Sequence, residues 1–215
     1  MSCISCKKLW SIPALEWLLI LMTITLGLLW TSCNEDRPLR TLPVYGMQDE
    51  QNKSNHTIAP FSFIDQNGDT VTDKDYSNKI YVTDFFFTTC RSICPVMTTQ
   101  MQRVFEHYKS NPDVMFLSYS VNPEYDTPAV LKEYADKHHA DAKKWHFVTG
   151  DKQKIYDLAR ISYLVTATKG DGGPDDFVHT QNFALIDKEK RIRGYYDGTD
   201  STDVNKLITE IQVCR

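Results

Sequence analysis

Residues 80–97 have the sequence IYVTDFFFTTCRSICPVM, which joins a strand, two cysteines and the start of a helix in one stretch. Residues 80–87 form a nearly continuous apolar and β-branched run, typical of a strand that is covered on both faces. Pro95 suits the first turn of a helix, where its missing N–H leaves no bond unmade. The stretch therefore predicts a buried strand that leads through Cys90 and Cys94 into a helix N-terminus.

The cysteine pair has three possible roles: a structural disulfide, a redox couple, or part of a metal site. Unpaired N–H groups and the dipole at a helix N-terminus stabilise thiolates, lower their pKa and make them nucleophilic and metal-binding. A bridge between Cys90 and Cys94 would close so short a loop that its entropic stabilisation would be modest, which favours a functional role. The position between strand and helix is thioredoxin-like, but thioredoxin-type oxidoreductases have two residues between their cysteines and this chain has three.

Patterns on both sides of this stretch alternate between strands and helices. Residues 61–72, FSFIDQNGDTVT, predict a hairpin that turns at Asn67 and Gly68. Further strands are predicted in residues 114–121 and in WHFVTGD, and later in FALID and RIRGYY. The order is a hairpin, then β-α-β-α-β-α, then β-β-α. It predicts an α/β fold with a central mixed sheet flanked by helices and an N-terminal hairpin. The cysteines between strand and helix occupy the thioredoxin-like active-site position, so the fold is expected to be thioredoxin-like.

Helix boundaries follow from proline and from capping residues. The DTP sequence at 126–128 predicts a cap followed by proline at the first helical position, with the helix continuing to about His139. An aspartate cap before KIYDLARIS predicts another helix. In the helix after Pro95, one apolar stripe is predicted from Val96, Met97, Met101, Val104, Phe105 and Tyr108. Met97 and Met101 are therefore interpreted as core residues rather than as metal ligands.

Composition and charge exclude some classes of function. The 215 residues suffice for one domain plus a leader. Lys and Arg number 24 against 28 Asp and Glu, and no basic block is present, which argues against a nucleic-acid partner. Residues 65–69 resemble the start of a calcium loop. However, Thr70 and Tyr76 occupy the positions that require Gly and Glu, so calcium is not predicted.

The N-terminus predicts export from the cytoplasm. Lys7 and Lys8 precede an apolar stretch, residues 17–30, that is shorter than the span of about 20 residues that a membrane requires. Small residues directly before Cys33 resemble the lipobox of bacterial lipoproteins, so we predict lipid attachment at Cys33. An uncleaved N-terminal anchor and a soluble secreted form remain alternatives. All three place the domain outside the cytoplasm, in the cell envelope or periplasm.

This interpretation divides the chain into three parts. Residues 1–33 are predicted to be a signal peptide or membrane anchor. Residues 34–57 are polar and without a sustained period, as expected of a flexible tether. Residues 58–215 are predicted to form the folded domain.

Four segments together resemble the Sco/SenC family. They are DFFFTTCRSICPVM, NPEYDTPAVLKEYADKH, WHFVTGD and DDFVHTQNFALIDKEKRIRGYYDGT. The family consists of thioredoxin-fold copper proteins linked to the assembly of cytochrome c oxidase. The resemblance extends from about residue 58 to the C-terminus, and its most specific feature is CxxxCP with a histidine far downstream.

The resemblance implies a copper site. The two cysteines and the histidine that bind the metal in the family correspond to Cys90, Cys94 and His179. Two soft thiolates and an imidazole suit Cu(I), and Cu(II) is accommodated with further ligands. Val178 stands where the family commonly has an aspartate, which puts the tuning of the site in doubt because a carboxylate there would orient the imidazole.

The implied function is that of an envelope-anchored copper chaperone, a metal carrier rather than an enzyme. Its expected partners are the copper-site subunit of a respiratory oxidase or another copper or thiol protein, and the membrane through the N-terminal anchor. One alternative is a thiol-disulfide oxidoreductase with Cys90 as the attacking and Cys94 as the resolving thiol. Another is a redox or copper sensor that uses the same pair. Cys214 has no evident partner and is predicted to be a free thiol.

Overall fold

Seven strands form one mixed sheet in the computed structural model, which describes residues 41–46, 56–165 and 180–214. Along the sheet their order is β2-β1-β5-β4-β3-β6-β7. The strands are β1 (Ser62–Asp65), β2 (Thr70–Thr72), β3 (Ile80–Phe86), β4 (Val114–Ser120), β5 (Trp145–Thr149), β6 (Asn182–Ile186) and β7 (Ile192–Asp197).

The strand directions give the sheet a parallel centre and antiparallel flanks. β3, β4 and β5 are parallel, whereas β1 is antiparallel to β5, β6 to β3, and β7 to β6. β1 and β2 form the predicted hairpin, in which Gly68 has the positive φ of 85° that its turn requires. The predicted mixed sheet with an N-terminal hairpin is confirmed.

Four α-helices accompany the sheet in the described part of the chain. They are α1 (Cys94–Tyr108), α2 (Pro128–Lys137), α3 (Lys152–Asp157) and α4 (Ser201–Ile211). α2 ends at Lys137, slightly before the predicted His139. α3 is followed by a π-helical turn, Leu158–Ser162, because the Tyr163 N–H donates to the carbonyl of Leu158, five residues earlier, at 2.9 Å.

Both faces of the sheet are covered by apolar residues. On one face, α1, α2 and α4 pack over a core that includes Phe116 and Trp145. On the other face, residues 58–63 and the segment around the π-helical turn cover a second core that includes Tyr81 and Tyr119. Coverage on both faces buries every residue of β3 and β4.

The predicted apolar stripe of α1 is correct except at Val96. Met97 and Met101 are completely buried, as expected of core residues, whereas Val96 is 45% exposed. At about 100° per residue, the buried members of the stripe fall within one arc of about 100° around the helix axis, and Val96 lies well outside that arc. The prediction was wrong at Val96.

Thr127, directly before the proline, caps α2. Its side chain accepts a hydrogen bond from the Val130 N–H, and Pro128 follows at the start of the helix. We expect Thr127→Ala to lower the free energy of unfolding by about 1 kcal/mol, since this N–H then loses its acceptor. Urea titration followed by circular dichroism would measure the loss. Thr127→Ser keeps the acceptor and serves as the control; an equal loss in both variants would contradict the assigned cap.

None of the helices in the described ranges is both long and apolar enough to cross a membrane. The predicted signal segment, residues 1–33 with Cys33, lies outside the described residues.

Candidate metal and thiol site

The cysteine pair lies at the sheet edge where the parallel strands end. Cys90 follows β3 through a turn in which its N–H donates to the Phe87 carbonyl at 3.2 Å, and Cys94 is the first residue of α1. The loop after β4 reaches the same edge, because the carboxyl ends of parallel strands lie side by side. The predicted strand-cysteine-helix arrangement is confirmed.

Burial makes the two cysteines chemically different. Both are free thiols; Cys94 is only 4% exposed, whereas Cys90 is partly exposed. Burial raises the pKa of Cys94 to about 12; a hydrogen bond with the Phe87 backbone opposes this shift, and one with the Cys90 sulfur contributes to it. Cys94 therefore keeps its proton at neutral pH in the metal-free protein.

Cys90 is the more acidic thiol. Partial burial raises its pKa, but hydrogen bonds from the Cys94 backbone N–H and from the Ser92 hydroxyl, 3.5 Å away, outweigh burial and lower the pKa to about 7. The expectation that the helix N-terminus stabilises thiolates thus holds for Cys90 and is wrong for Cys94, where burial dominates.

This difference predicts selective modification of Cys90. At pH 7.5 we expect iodoacetamide to alkylate Cys90 at least about 100-fold faster than Cys94, because the thiolate is the reacting form and Cys94 is also shielded. Mass spectrometry of proteolytic peptides after timed quenching would give both rates. The same reaction in denaturant, where both thiols are exposed, is the control, and similar rates in the folded protein would contradict the assignment.

A buried carboxyl group on β3 faces the core beneath the site. The Ser118 hydroxyl donates to Asp84 Oδ1 at 2.5 Å, and Trp145 Nε1 donates to the Ser118 oxygen at 2.9 Å. Burial raises the pKa of Asp84 to about 7, although the bond from Ser118 lowers it. The sequence analysis missed this residue; a single acidic residue within the apolar run of residues 80–87 was the available signal.

A second buried carboxylate, Asp126, lies in the loop after β4 and is 0% exposed. It accepts a hydrogen bond from the Thr88 N–H at 3.1 Å, another from the Thr88 hydroxyl, and a third from the Ser120 hydroxyl at 2.5 Å. In sequence Asp126 is part of a capping pattern, and that pattern concealed its inward orientation.

Two of the three predicted metal ligands, Cys90 and Cys94, are among the residues that the structure describes. β6 is antiparallel to β3, with Ala184 opposite Thr83, so the beginning of β6 lies at the sheet edge where β3 ends. The buried Thr180 is the first described residue after the gap at 166–179, and it lies two positions before this strand. His179 and Val178 lie outside the described residues. Within the described ranges, no group of three or more His, Cys, Asp or Glu side chains could hold a metal ion.

The geometry suits two kinds of chemistry. A partly exposed thiol that ionises near neutral pH, next to a buried thiol, provides two soft ligands for copper once a third ligand joins them. The same asymmetry provides an attacking and a resolving thiol for disulfide exchange.

The third cysteine of the described residues, Cys214, is buried and is a free thiol, as predicted, and burial raises its pKa to about 11.

Sequence comparison identifies relatives that match most of the chain. The family model of SCO1/SenC matches residues 49–213. The SCO1 protein homolog of Bacillus subtilis (strain 168) is 29% identical over 168 residues, which cover 78% of this chain and 87% of the relative.

Solved structures show the same likeness. A SCO1/SenC family lipoprotein from Bacillus anthracis str. Ames has a TM-score of 0.66 at 29% identity, covering 74% of this chain and 95% of that one. BsSco, described as containing a disulfide switch and as a member of the Sco family of cytochrome c oxidase assembly proteins, has a TM-score of 0.64 at 30% identity, covering 74% and 94%. Copper-bound ScoI of Bradyrhizobium japonicum has a TM-score of 0.59 at 27% identity, covering 74% and 99%. The predicted thioredoxin-like fold is confirmed.

Proposed function

The chain belongs to the SCO1/SenC family, and from this premise we propose that it binds one copper ion through Cys90, Cys94 and His179 and delivers it to the copper centre of cytochrome c oxidase. The observation that carries the proposal is the pair of free thiols at the end of β3, one acidic and one buried. Copper-bound ScoI supports copper as the cargo.

The chemistry of the ligands supports Cu(I) as the preferred ion. Two thiolates are soft donors, and an imidazole completes a three-ligand set of the kind that Cu(I) accepts. Cys90 supplies a thiolate near neutral pH, whereas Cys94 loses its proton as the metal binds. Cu(II) requires further ligands. The position of Thr180 at the sheet edge that carries Cys90 supports His179, its neighbour in sequence, as the third ligand.

Delivery proceeds by ligand exchange in this proposal. A ligand of the incoming partner displaces His179 or one thiolate before the ion leaves. The partner is a respiratory oxidase subunit with a copper site, as the oxidase-assembly role stated for BsSco suggests. The relative from Bacillus anthracis is a lipoprotein, which supports anchoring outside the cytoplasm through a lipid on Cys33.

Thiol-disulfide exchange is the second candidate function, and the difference in pKa between Cys90 and Cys94 favours it. BsSco, for which a disulfide switch is described, offers a related precedent. In this alternative Cys90 attacks a disulfide of the partner, Cys94 resolves the mixed disulfide, and His179 has no role as a ligand.

Copper binding to the reduced protein tests the proposal. We expect one Cu(I) per chain under anaerobic conditions and an affinity about 10- to 100-fold lower in His179→Ala, because only two ligands remain. Competition with a chelator of known affinity measures both. His107→Ala is the control, since His107 is an exposed histidine on α1. A protein that binds no copper but whose Cys90 and Cys94 cycle readily would favour the oxidoreductase.

A further inference from the structure

Asp126 connects the loop after β4 to the turn after β3, at the end of the sheet where the cysteine pair lies. Its carboxylate is fully buried, and no Lys, Arg or His in the described ranges forms an ion pair with it. Burying a carboxylate is unfavourable unless donors replace the lost water. Here three neutral donors do so, two from Thr88 and one from Ser120. Their convergence fixes Thr88 relative to the loop after β4.

Thr88 belongs to the turn that carries Cys90. This turn runs from Phe87 to Cys90 and is closed by the Cys90 N–H and the Phe87 carbonyl. Asp126 binds both donors of Thr88, its N–H and its hydroxyl, and therefore fixes both the backbone and the side chain of the turn. Ser120, the last residue of the neighbouring strand β4, donates its hydroxyl to the same carboxylate, and its oxygen also accepts the Asn122 N–H at 3.1 Å.

We propose that Asp126 is a positioning residue that holds Cys90 where it receives its stabilising hydrogen bonds and presents its sulfur to the metal. The inference rests on the proposed function for its consequence in copper binding. Ligand and thiolate geometry depends on supporting hydrogen bonds, and losing such a partner lowers metal affinity even though the ligands remain. Asp126 touches neither sulfur; it acts through Thr88.

A matched pair of substitutions separates positioning from general stability. Thr88→Val and Ser120→Ala each remove one hydroxyl bond to the same carboxylate, but only Thr88 lies in the cysteine turn. Both variants are expected to unfold at lower urea concentration than the wild type. Thr88→Ser restores the hydroxyl and serves as the rescue variant. Asp126→Asn removes one acceptor oxygen and is the direct, more disruptive change.

Two readouts test the proposal on the reduced, folded protein. For Thr88→Val we expect about 10-fold weaker Cu(I) binding and a rate of Cys90 alkylation by iodoacetamide at pH 7 that is about 3- to 10-fold lower. Thr88→Ser and Ser120→Ala should remain within about twofold of the wild type in both. Equal effects of Thr88→Val and Ser120→Ala, or an unchanged alkylation rate in Thr88→Val, would overturn the proposal.

The alkylation rate requires no metal, so the two hypotheses fail separately. If the wild type binds no copper and Thr88→Val still slows alkylation selectively, the copper function is wrong and the positioning role of Asp126 stands. If copper binds with the expected stoichiometry and Thr88→Val changes neither readout, the copper function stands and the positioning role is wrong.

Discussion

The double variant Cys90→Ser/Cys94→Ser should bind no Cu(I) at concentrations at which the wild type holds one ion per chain. Removing both soft ligands leaves a hydroxyl pair that Cu(I) disfavours, so we expect the affinity to fall on the order of 1,000-fold or more. Serine is slightly smaller than cysteine, so it fits the buried position of Cys94 without a clash. Anaerobic titration with a competing chelator measures the loss.

Cys214→Ser is the control for this experiment. Cys214 is also a buried free thiol, but it lies near the C-terminus, in the 3₁₀ turn that follows α4. The Cys214→Ser variant should retain one Cu(I) per chain. Stoichiometric copper in the double cysteine variant would assign the ion to other residues and refute the proposed site.

Asp84→Asn should make the stability of the protein depend less on pH. The pKa of Asp84 is about 7 in the folded state against an ordinary value of 3.8. Between these values the folded protein keeps a proton that the unfolded chain releases, so this group makes the wild type less stable as the pH rises. Relative to the wild type, we expect Asp84→Asn to gain about 2 to 3 kcal/mol between pH 5 and pH 8.

Urea unfolding of the reduced protein at both pH values gives this difference. Comparing two pH values cancels any effect of the substitution that does not depend on pH. Ser118→Ala is a control of opposite sign: the Ser118 hydroxyl lowers the pKa of Asp84, and its removal should enlarge the pH dependence. Parallel stability curves for the wild type and Asp84→Asn would show that Asp84 is not the titrating group.

Much of the fold was predictable because local patterns and long-range packing agree. The apolar run of β3, the turn at Asn67 and Gly68, and Pro95 at the start of α1 each have one dominant physical interpretation. Errors arose where local patterns are ambiguous. An apolar residue beside the buried stripe of a helix, such as Val96, is easily assigned to the stripe from the sequence, and packing decides whether it is buried.

The two cysteine ligands could be predicted from the sequence, whereas their chemical environment could not. Cys90 and Cys94 were recognisable because their spacing and the following proline are local features. The opposite shifts in the pKa of these two thiols could not be predicted from the sequence, because the shifts depend on burial that the whole fold creates. The contact between Asp126 and Thr88 likewise joins residues 38 positions apart, and DTP in sequence gives no sign of which polar residue turns inward.

The pairing of β6 with the buried strand β3 has a consequence for folding during synthesis. β3 pairs with β4 on one side and with β6 on the other, and more than 100 residues separate Tyr81 from its partner Ile186. During synthesis, one edge of this apolar strand therefore has no partner until nearly the whole chain has left the ribosome. Unpaired strand edges promote aggregation. A nascent chain truncated before β6 should therefore need protection by chaperones, even though its cysteine pair has already been made.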